Sequence, residues 1–226
     1  MPIEIYSKRL GINRCYIVKD MGCVMIDGGP PRSAHSIEKW LKIIHIKPDE
    51  IQLIVLTHGH ADHVGSASRV KEITGAEIVL HKCDKDWFEN GTVVWPSAAS
   101  TWGQIMRSLL KPITPMLRFP VGQVDVVLGD EGLSLAEYGI SGRVIHTPGH
   151  TSGSVSVLLE TGDAFVGCLA HNNLPFRLNP GLPIFAEDMD RLRESWNHLL
   201  DQGARMIYPG HGNPFSADII QKALRL

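Results

Sequence analysis

The chain has 226 residues, of which 43% are hydrophobic, and a formal net charge of −2 at pH 7. Its lysines and arginines are scattered, so it lacks the basic stripe that nucleic-acid binding requires. No apolar run approaches the roughly 20 residues needed to cross a bilayer. The composition therefore predicts a globular protein that binds neither nucleic acid nor membrane.

The chain start and the cysteines bear on location. Residues 1–4 lack the basic start and apolar core of a secretory signal. The four cysteines, at positions 15, 23, 83 and 168, are widely spaced and form no C-x-x-C pair. With no sign of export, we expect free thiols in a reducing cytoplasm and predict a cytoplasmic location.

The first part of the chain predicts strands followed by a helix. The strands cover residues 3–7, 14–19 and 22–27. The third ends at an Asp-Gly-Gly-Pro turn signal that begins at Asp27. An amphipathic helix capped by Ser33 follows and is broken before Pro48.

Residues 58–63 read His-Gly-His-Ala-Asp-His and directly follow a buried apolar strand over 51–56. Three imidazoles and a carboxylate in so short a stretch would be costly to desolvate unless a divalent cation bound them. Their spacing cannot place all four on one helical face, so we predict a loop at the carboxyl end of the strand. A helix over 64–74 and a strand over 77–80 complete this unit.

Residues 84–119 interrupt the alternation of helices and strands. They are rich in tryptophan and other apolar side chains, and prolines divide them into short helical pieces. Two interpretations stay open: an insertion that buries its aromatic residues against a sheet, or a lid or pocket wall beside the metal loop.

The second half repeats the first in kind. Its predicted strands cover residues 121–128, 142–146, 154–159, 164–168 and 206–208. A polar loop over 171–186 leads to a helix over 187–202, and a short helix from about residue 216 closes the chain. His150 and His211 each follow a Pro-Gly turn at a strand end, which favours two further ligands. No flexible linker divides the halves, so we predict a single domain over 1–226.

The motifs together resemble the metallo-β-lactamase superfamily. The matching pieces are residues 27–29, 58–63, 147–151 and 209–212, with a turn at Gly167, in the right order along nearly the whole chain. The resemblance implies an α/β fold, a four-layer αββα sandwich in which two mixed β-sheets are flanked by helices.

The resemblance also implies the metal ligands. It assigns a first metal to His58, His60 and His150. It assigns a second metal to Asp62, His63 and His211. Asp27 resembles the buried aspartate that supports the ligand loop in this superfamily, since a carboxylate behind an imidazole fixes its tautomer and orientation.

One position departs from the family pattern. Most hydrolases of the family carry Gly-Asp where this chain has Gly167-Cys168, and that aspartate bridges two metals. The zinc β-lactamases with a cysteine ligand place a thiolate at a corresponding point, so Cys168 is a candidate ligand of the second metal. The alternative is a small buried side chain with no ligand role. His171 is a further candidate ligand that ranks below Cys168.

The expected activity is that of a zinc-dependent hydrolase with one or two metal ions, iron and manganese remaining open. Metal-bound hydroxide would cleave an ester, thioester, lactone or amide of a small molecule, and Asp62 would orient the nucleophile or shuttle its proton. Two alternatives stay open: a metal-binding redox or sensor protein that uses Cys168, and a β-lactamase or lactonase activity. The closing helices are compatible with a homodimer, but no pattern decides the oligomeric state.

Overall fold

Residues 3–225 are described by a computed structural model, in which twelve strands form two six-stranded sheets. The first sheet contains, in spatial order, β1 (Glu4–Leu10), β2 (Asn13–Lys19), β3 (Cys23–Ile26), β4 (Leu53–Val55), β5 (Glu77–His81) and β6 (Val126–Leu128). The second contains β12 (Phe215–Ser216), β11 (Met206–Gly212), β10 (Asp163–Asn172), β9 (Val155–Leu159), β8 (Gly142–His146) and β7 (Leu133–Ser134). Both sheets are mixed, since each combines antiparallel pairs with parallel ones.

Helices cover the sheets and their connections. The α-helices of residues 3–225 are α1 (Ala34–Ile43), α2 (Ala61–Val64), α3 (Ala67–Thr74), α4 (Lys85–Glu89), α5 (Thr101–Leu110), α6 (Met189–Asp201) and α7 (Asp218–Leu224). Short 3₁₀ helices cover Pro48–Glu50, Lys111–Leu117 and Ala136–Tyr138. Within the described residues, no helix has the length and apolarity that crossing a membrane requires.

The layers follow from the alternation of side chains along the buried strands. In β3, Cys23 and Met25 pack with the helices on the outer face of the first sheet, whereas Val24 and Ile26 pack between the two sheets. Successive strand side chains point to opposite faces, so a strand that is apolar at every position must be covered on both. On the outer face of the second sheet, Trp196 of α6 is fully buried. The result is the αββα sandwich, and the predicted fold class is confirmed.

The segment over 84–119 contains α4, α5 and the second 3₁₀ helix. A small apolar cluster joins it to the segment that follows β10; its buried members are Met106, Phe176, Ile184 and Phe185. A backbone bridge between Ala98 and Phe185 ties the same two segments. Two segments that are distant in the sequence therefore form one structural unit.

Several predicted boundaries are wrong. The helix expected over 64–74 is two helices, α2 and α3, and the strand expected over 121–128 begins only at Val126. β10 extends through Asn172, so the first residues of the expected loop over 171–186 belong to a strand. The expectation of free thiols is met, because all four cysteines lie in the described part of the chain without a disulfide.

Candidate metal centre

The predicted ligands come from five places in the chain and lie together. His58 and His60 follow β4, whereas Asp62 and His63 lie on the single turn of α2. The expectation that one loop carries all four is therefore wrong for the last two. His150 follows β8, and Cys168 and His211 lie within β10 and β11, respectively.

Short distances connect the two halves of the fold. His60 Nδ1 lies 3.0 Å from His150 Nε2, and His63 Nε2 lies 3.3 Å from His211 Nε2. Cys168 Sγ lies 3.3 Å from His63 Nε2. The ligand atoms form two groups, each within 4.8 Å: His58, His150 and Cys168, and His63, Cys168 and His211. Cys168 belongs to both groups, so its sulfur is within reach of either metal position.

In three of the histidines, the ring nitrogen that points away from the centre donates a hydrogen bond, and the other ring nitrogen therefore faces the centre as an acceptor. They donate as follows: His63 Nδ1 to Asp27 Oδ2 at 2.7 Å, His150 Nδ1 to the Phe185 carbonyl at 2.9 Å, and His211 Nδ1 to the Ile12 carbonyl at 3.1 Å. A neutral imidazole that donates from Nδ1 carries a lone pair at Nε2. Lone pairs that face each other repel unless a cation lies between them, so this donor set fits a metal.

His58 follows the same rule. The Thr57 hydroxyl donates to Asp27 Oδ1 at 2.9 Å and thus accepts from His58 Nδ1, which lies 3.1 Å away. His58 Nε2 is buried and has no hydrogen-bond partner among residues 3–225. A buried acceptor without a partner costs stability, and a metal ion would satisfy it.

The charges of the centre also fit a cation. Burial lowers the pKa of His58 to about 4 and that of His60 well below its usual value, so both imidazoles are neutral and able to bind a metal. Burial alone would raise the pKa of the Cys168 thiol, but the positive charge that His211 and His63 carry when protonated lowers it well below its usual range. Burial likewise opposes ionisation of Asp62. The neighbouring His63 and His211 nevertheless lower the pKa of its carboxyl group well below the usual value. A buried thiolate and a partly exposed carboxylate in one place need positive charge beside them.

Two glycines of the matching motifs allow this close packing. Gly167 has φ +51°, and a Cβ there would lie 2.5 Å from Thr57 Oγ1. A Cβ at Gly210 would lie 2.5 Å from Cε1 of His63. The two glycines therefore let the strands of the second sheet approach ligands that belong to the first.

Asp84, which no sequence motif indicated, joins the two loops that carry ligands. It is fully buried before α4. Its Oδ2 accepts from the Gly59 backbone N–H and from the Thr151 hydroxyl, each at 2.8 Å. Gly59 lies between His58 and His60, and Thr151 follows His150. The sequence did not indicate a role for Asp84, because this aspartate belongs to no motif and its hydrogen-bond partners are distant along the chain.

Replacing Asp84 by alanine is expected to lower the free energy of unfolding by about 3 kcal/mol, since it removes two hydrogen bonds and leaves the buried Gly59 N–H without an acceptor. Denaturant unfolding of the metal-free protein measures the loss. The matched control is Asp86→Ala, in the first turn of α4. Equal stability of the two variants would contradict the bridging role.

His171, which the sequence placed below Cys168 as a candidate ligand, lies in a position that suits a metal ligand. It is buried, and neither ring nitrogen has a hydrogen-bond partner in the described part of the chain. Its ring centroid lies 5.3 Å from that of His211. A three-residue step along a regular strand would put Cys168 and His171 on opposite faces, but register shifts on both sides of Gly167 bring both side chains to the same cavity.

A second group, made by His81, Asp130 and His146, lies apart from this centre. The rings of His81 and His146 stack with centroids 4.1 Å apart. His146 Nε2 donates to the Ser152 carbonyl, and His81 Nδ1 accepts from the Cys83 N–H, so its Nε2 donates to Asp130. Three of the four ring nitrogens therefore make hydrogen bonds, and the group is a hydrogen-bonded cluster.

Comparison with known proteins points to one superfamily. The sequence model of the Metallo-beta-lactamase superfamily matches residues 9–211. The chain is 30% identical over 190 residues to the hydroxyacylglutathione hydrolase GloC of Haemophilus influenzae, covering 77% of each chain. It is 28% identical over 191 residues to the Beta-lactamase-like protein 2 homolog of Drosophila melanogaster, covering 84% of this chain and 54% of that protein.

Solved structures agree on the fold. The crystal structure of BLEG-1 B3 metallo-beta-lactamase superposes with a TM-score of 0.72 over 95% of both chains, at 21% identity. The chain spans only part of some relatives, 54% of the Drosophila protein and 63% of the probable metallo-hydrolase YqgX of Bacillus subtilis. The matched region contains every residue of the centre described above.

Proposed function

This chain belongs to the metallo-beta-lactamase superfamily, and from that premise we propose that it is a metal-dependent hydrolase of an acyl bond in a small molecule. One observation carries the proposal. Histidine ring nitrogens that face inward as acceptors converge on one buried place, together with a thiolate and a carboxylate. A relative named as a hydroxyacylglutathione hydrolase supports acyl-bond hydrolysis as the reaction class.

The residues divide into two sets. The first metal would be held by His58, His60 and His150. The second would be held by Asp62, His63, Cys168 and His211. A divalent metal, when bound, lowers the pKa of water and supplies a nucleophile at neutral pH. We propose zinc, because a set of imidazoles with a thiolate suits it better than the harder manganese or magnesium ions.

Asp62 is the residue placed to handle the proton. Its side chain lines the cavity over the centre and is 30% exposed, whereas each ligand histidine is at most 5% exposed. Its Oδ2 accepts from Asn13 Nδ2 at 3.1 Å and lies 3.3 Å from His211 Nε2, so the carboxylate is held in one orientation. An ionised carboxylate at the floor of the cavity orients a water molecule and accepts its proton.

Other residues orient the ligands. Asp27 accepts from His63 Nδ1 and from the Thr57 backbone N–H and hydroxyl, so one carboxylate fixes both His63 and the start of the ligand loop. Its backbone has φ 61°, which an aspartate tolerates better than most residues. Such support holds the ring of His63 with its Nε2 directed at the centre.

Removal of metal tests the proposal. Dialysis against a chelator is expected to lower hydrolysis of activated esters and thioesters by at least about 100-fold, and added zinc should restore it. The melting temperature should fall at the same time, because a ligand that binds only the folded state stabilises it by about 4 kcal/mol at a thousand times its Kd. Hydrolysis that persists undiminished in protein shown by metal analysis to be metal-free would refute the proposal.

A further inference from the structure

An apolar cavity opens directly over the candidate metal centre. It has a volume of about 110 Å³ and is open to solvent on one side. Its floor includes His60, Asp62 and His150. Its walls are aromatic and aliphatic and include Trp95, Leu110, Ile113, Leu117, Phe176 and Phe185. Most of these wall residues come from the segment over 84–119 and from the segment after β10.

The wall carries no countercharge for an anion. Among residues 3–225, no lysine or arginine lines this cavity, and its only ionisable side chains are the candidate ligands and His171. A carboxylate placed along these walls would lose its hydration without gaining an ion pair, which is costly. An alkyl or aryl group placed there would be stabilised by burial.

A polar cleft begins on the other side of His211. It shares Ile12, Phe176 and His211 with the apolar cavity. The rest of its lining is mostly polar and includes Arg9, Asn13, Asn173 and Asn213. The candidate metal centre therefore lies between an apolar space and a polar one, and a substrate that bridges both is held in a single direction.

The apolar surface continues outside the cavity. Ile113 lines the cavity and is 40% exposed, and Phe176 lines both the cavity and a shallow outer groove. That groove also contains Trp102 and Leu178, which are 46% and 79% exposed. A chain longer than the cavity would thus leave it along apolar side chains.

From these contacts we infer that the substrate carries an uncharged, apolar acyl group that occupies this cavity, with its polar leaving group directed to the cleft beyond His211. The inference rests on the proposed hydrolase function and adds the substrate class. Water adds to the carbonyl carbon, the bond to the leaving group breaks, and one proton of the water passes to the leaving group. The products are the carboxylic acid, which ionises at neutral pH, and the free alcohol, thiol or amine. The new carboxylate forms over the metal centre, away from the apolar walls.

A chain-length series on the zinc-loaded protein tests the inference. The substrates are the p-nitrophenyl esters of acetate, butyrate, hexanoate and octanoate, with the mono-p-nitrophenyl ester of glutarate as an anionic acyl group similar in length to hexanoate. We expect kcat/KM to rise about fourfold per methylene until the cavity is filled, the effect of burying a CH₂ group. We expect glutarate to react at least about tenfold more slowly than hexanoate.

A charge placed in the wall should reverse this preference. In Ile113→Lys the new ammonium lies beside the acyl group, so the ratio of glutarate to hexanoate kcat/KM should rise at least about tenfold. The matched control is Met116→Lys, in the same 3₁₀ helix, 62% exposed and outside the cavity lining, where the ratio should stay at the wild-type value. Circular dichroism and zinc content confirm that both variants are folded and loaded.

Binding separates this inference from the proposed reaction. Calorimetry with butanamide and octanamide, which are uncharged and slow to hydrolyse, measures the cavity without turnover, and octanamide should bind at least about tenfold more tightly. Metal-dependent hydrolysis with no dependence on chain length, together with equal amide affinities, would overturn the apolar acyl class and leave the hydrolase proposal intact. The opposite result, tight octanamide binding without metal-dependent hydrolysis of esters or matched thioesters, would contradict the proposed hydrolase function. It would still support the assignment of the cavity as a site for an apolar acyl group.

Discussion

The His60→Ala variant is expected to lose on the order of 10³-fold or more in kcat/KM while it remains folded. His60 Nδ1 faces His150 Nε2 at 3.0 Å, so its removal takes one of the three imidazoles from the proposed first metal position. With only two imidazoles left there, both metal affinity and the activation of water fall. The loss of kcat/KM should equal or exceed the loss seen in other enzymes when one group that stabilises charge in the transition state is removed.

The fold should survive this change, because the His60 side chain makes no hydrogen bond to any strand within residues 3–225. Its ring lies against Trp87 at a centroid distance of 6.0 Å. The measurement is steady-state hydrolysis of the best ester in the chain-length series, with metal analysis of each preparation. His198→Ala, at an exposed position of α6, removes a histidine outside the centre and should leave kcat/KM at the wild-type value. Undiminished turnover by His60→Ala would remove the metal-hydrolase proposal.

The Cys168→Ser variant is expected to bind one metal per chain where the wild-type protein binds two, with affinity at the second position at least about 100-fold weaker. Cys168 Sγ belongs to both groups of ligand atoms, and His63 and His211 face it from the second. A serine hydroxyl is a neutral, harder donor at pH 7, so it replaces neither the charge nor the softness of the thiolate.

Metal analysis after gel filtration, supported by competition with a chromophoric chelator, gives the stoichiometry and the affinity. Cys83→Ser is the control, since Cys83 is exposed and belongs to neither ligand group. Two metals held with wild-type affinity by Cys168→Ser would show that the sulfur is a buried side chain without a ligand role. A single metal in the wild-type protein, unchanged by the substitution, would lead to the same conclusion.

The kinds of residue at the centre, and most of their positions, were predictable from the sequence. Residues 58–63 are dense in groups that a protein core does not accept, and the Pro-Gly turn before His150 follows the end of β8 as predicted. The strand end predicted before His211 is wrong, because β11 continues through Gly212. The apolar run over 51–56 predicted a buried strand, and the side chains of β4 pack on both faces of the first sheet. These features are local, since each depends on a few consecutive residues and their solvation.

The contacts between these features were not predictable from local pattern. A regular strand would turn His171 away from Cys168, and only the register shifts around Gly167 bring the two together. Asp84 gave no signal at all, because its partners Gly59 and Thr151 belong to loops 25 and 67 residues away. Nor did the sequence decide between a buried insertion and a pocket wall for residues 84–119.

The amino-acid sequence alone determines the chemistry available to this protein. It shows which side chains can bind a metal and that buried strands precede them. The pairing of those side chains arises only in the folded chain, where His60 meets His150 across 90 residues and His63 meets His211 across 148. Folding likewise brings Leu110, Ile113 and Phe176 into one apolar wall. The physical reason is that ligand type and strand periodicity are local properties, whereas the approach of two sheets depends on packing summed over the whole core.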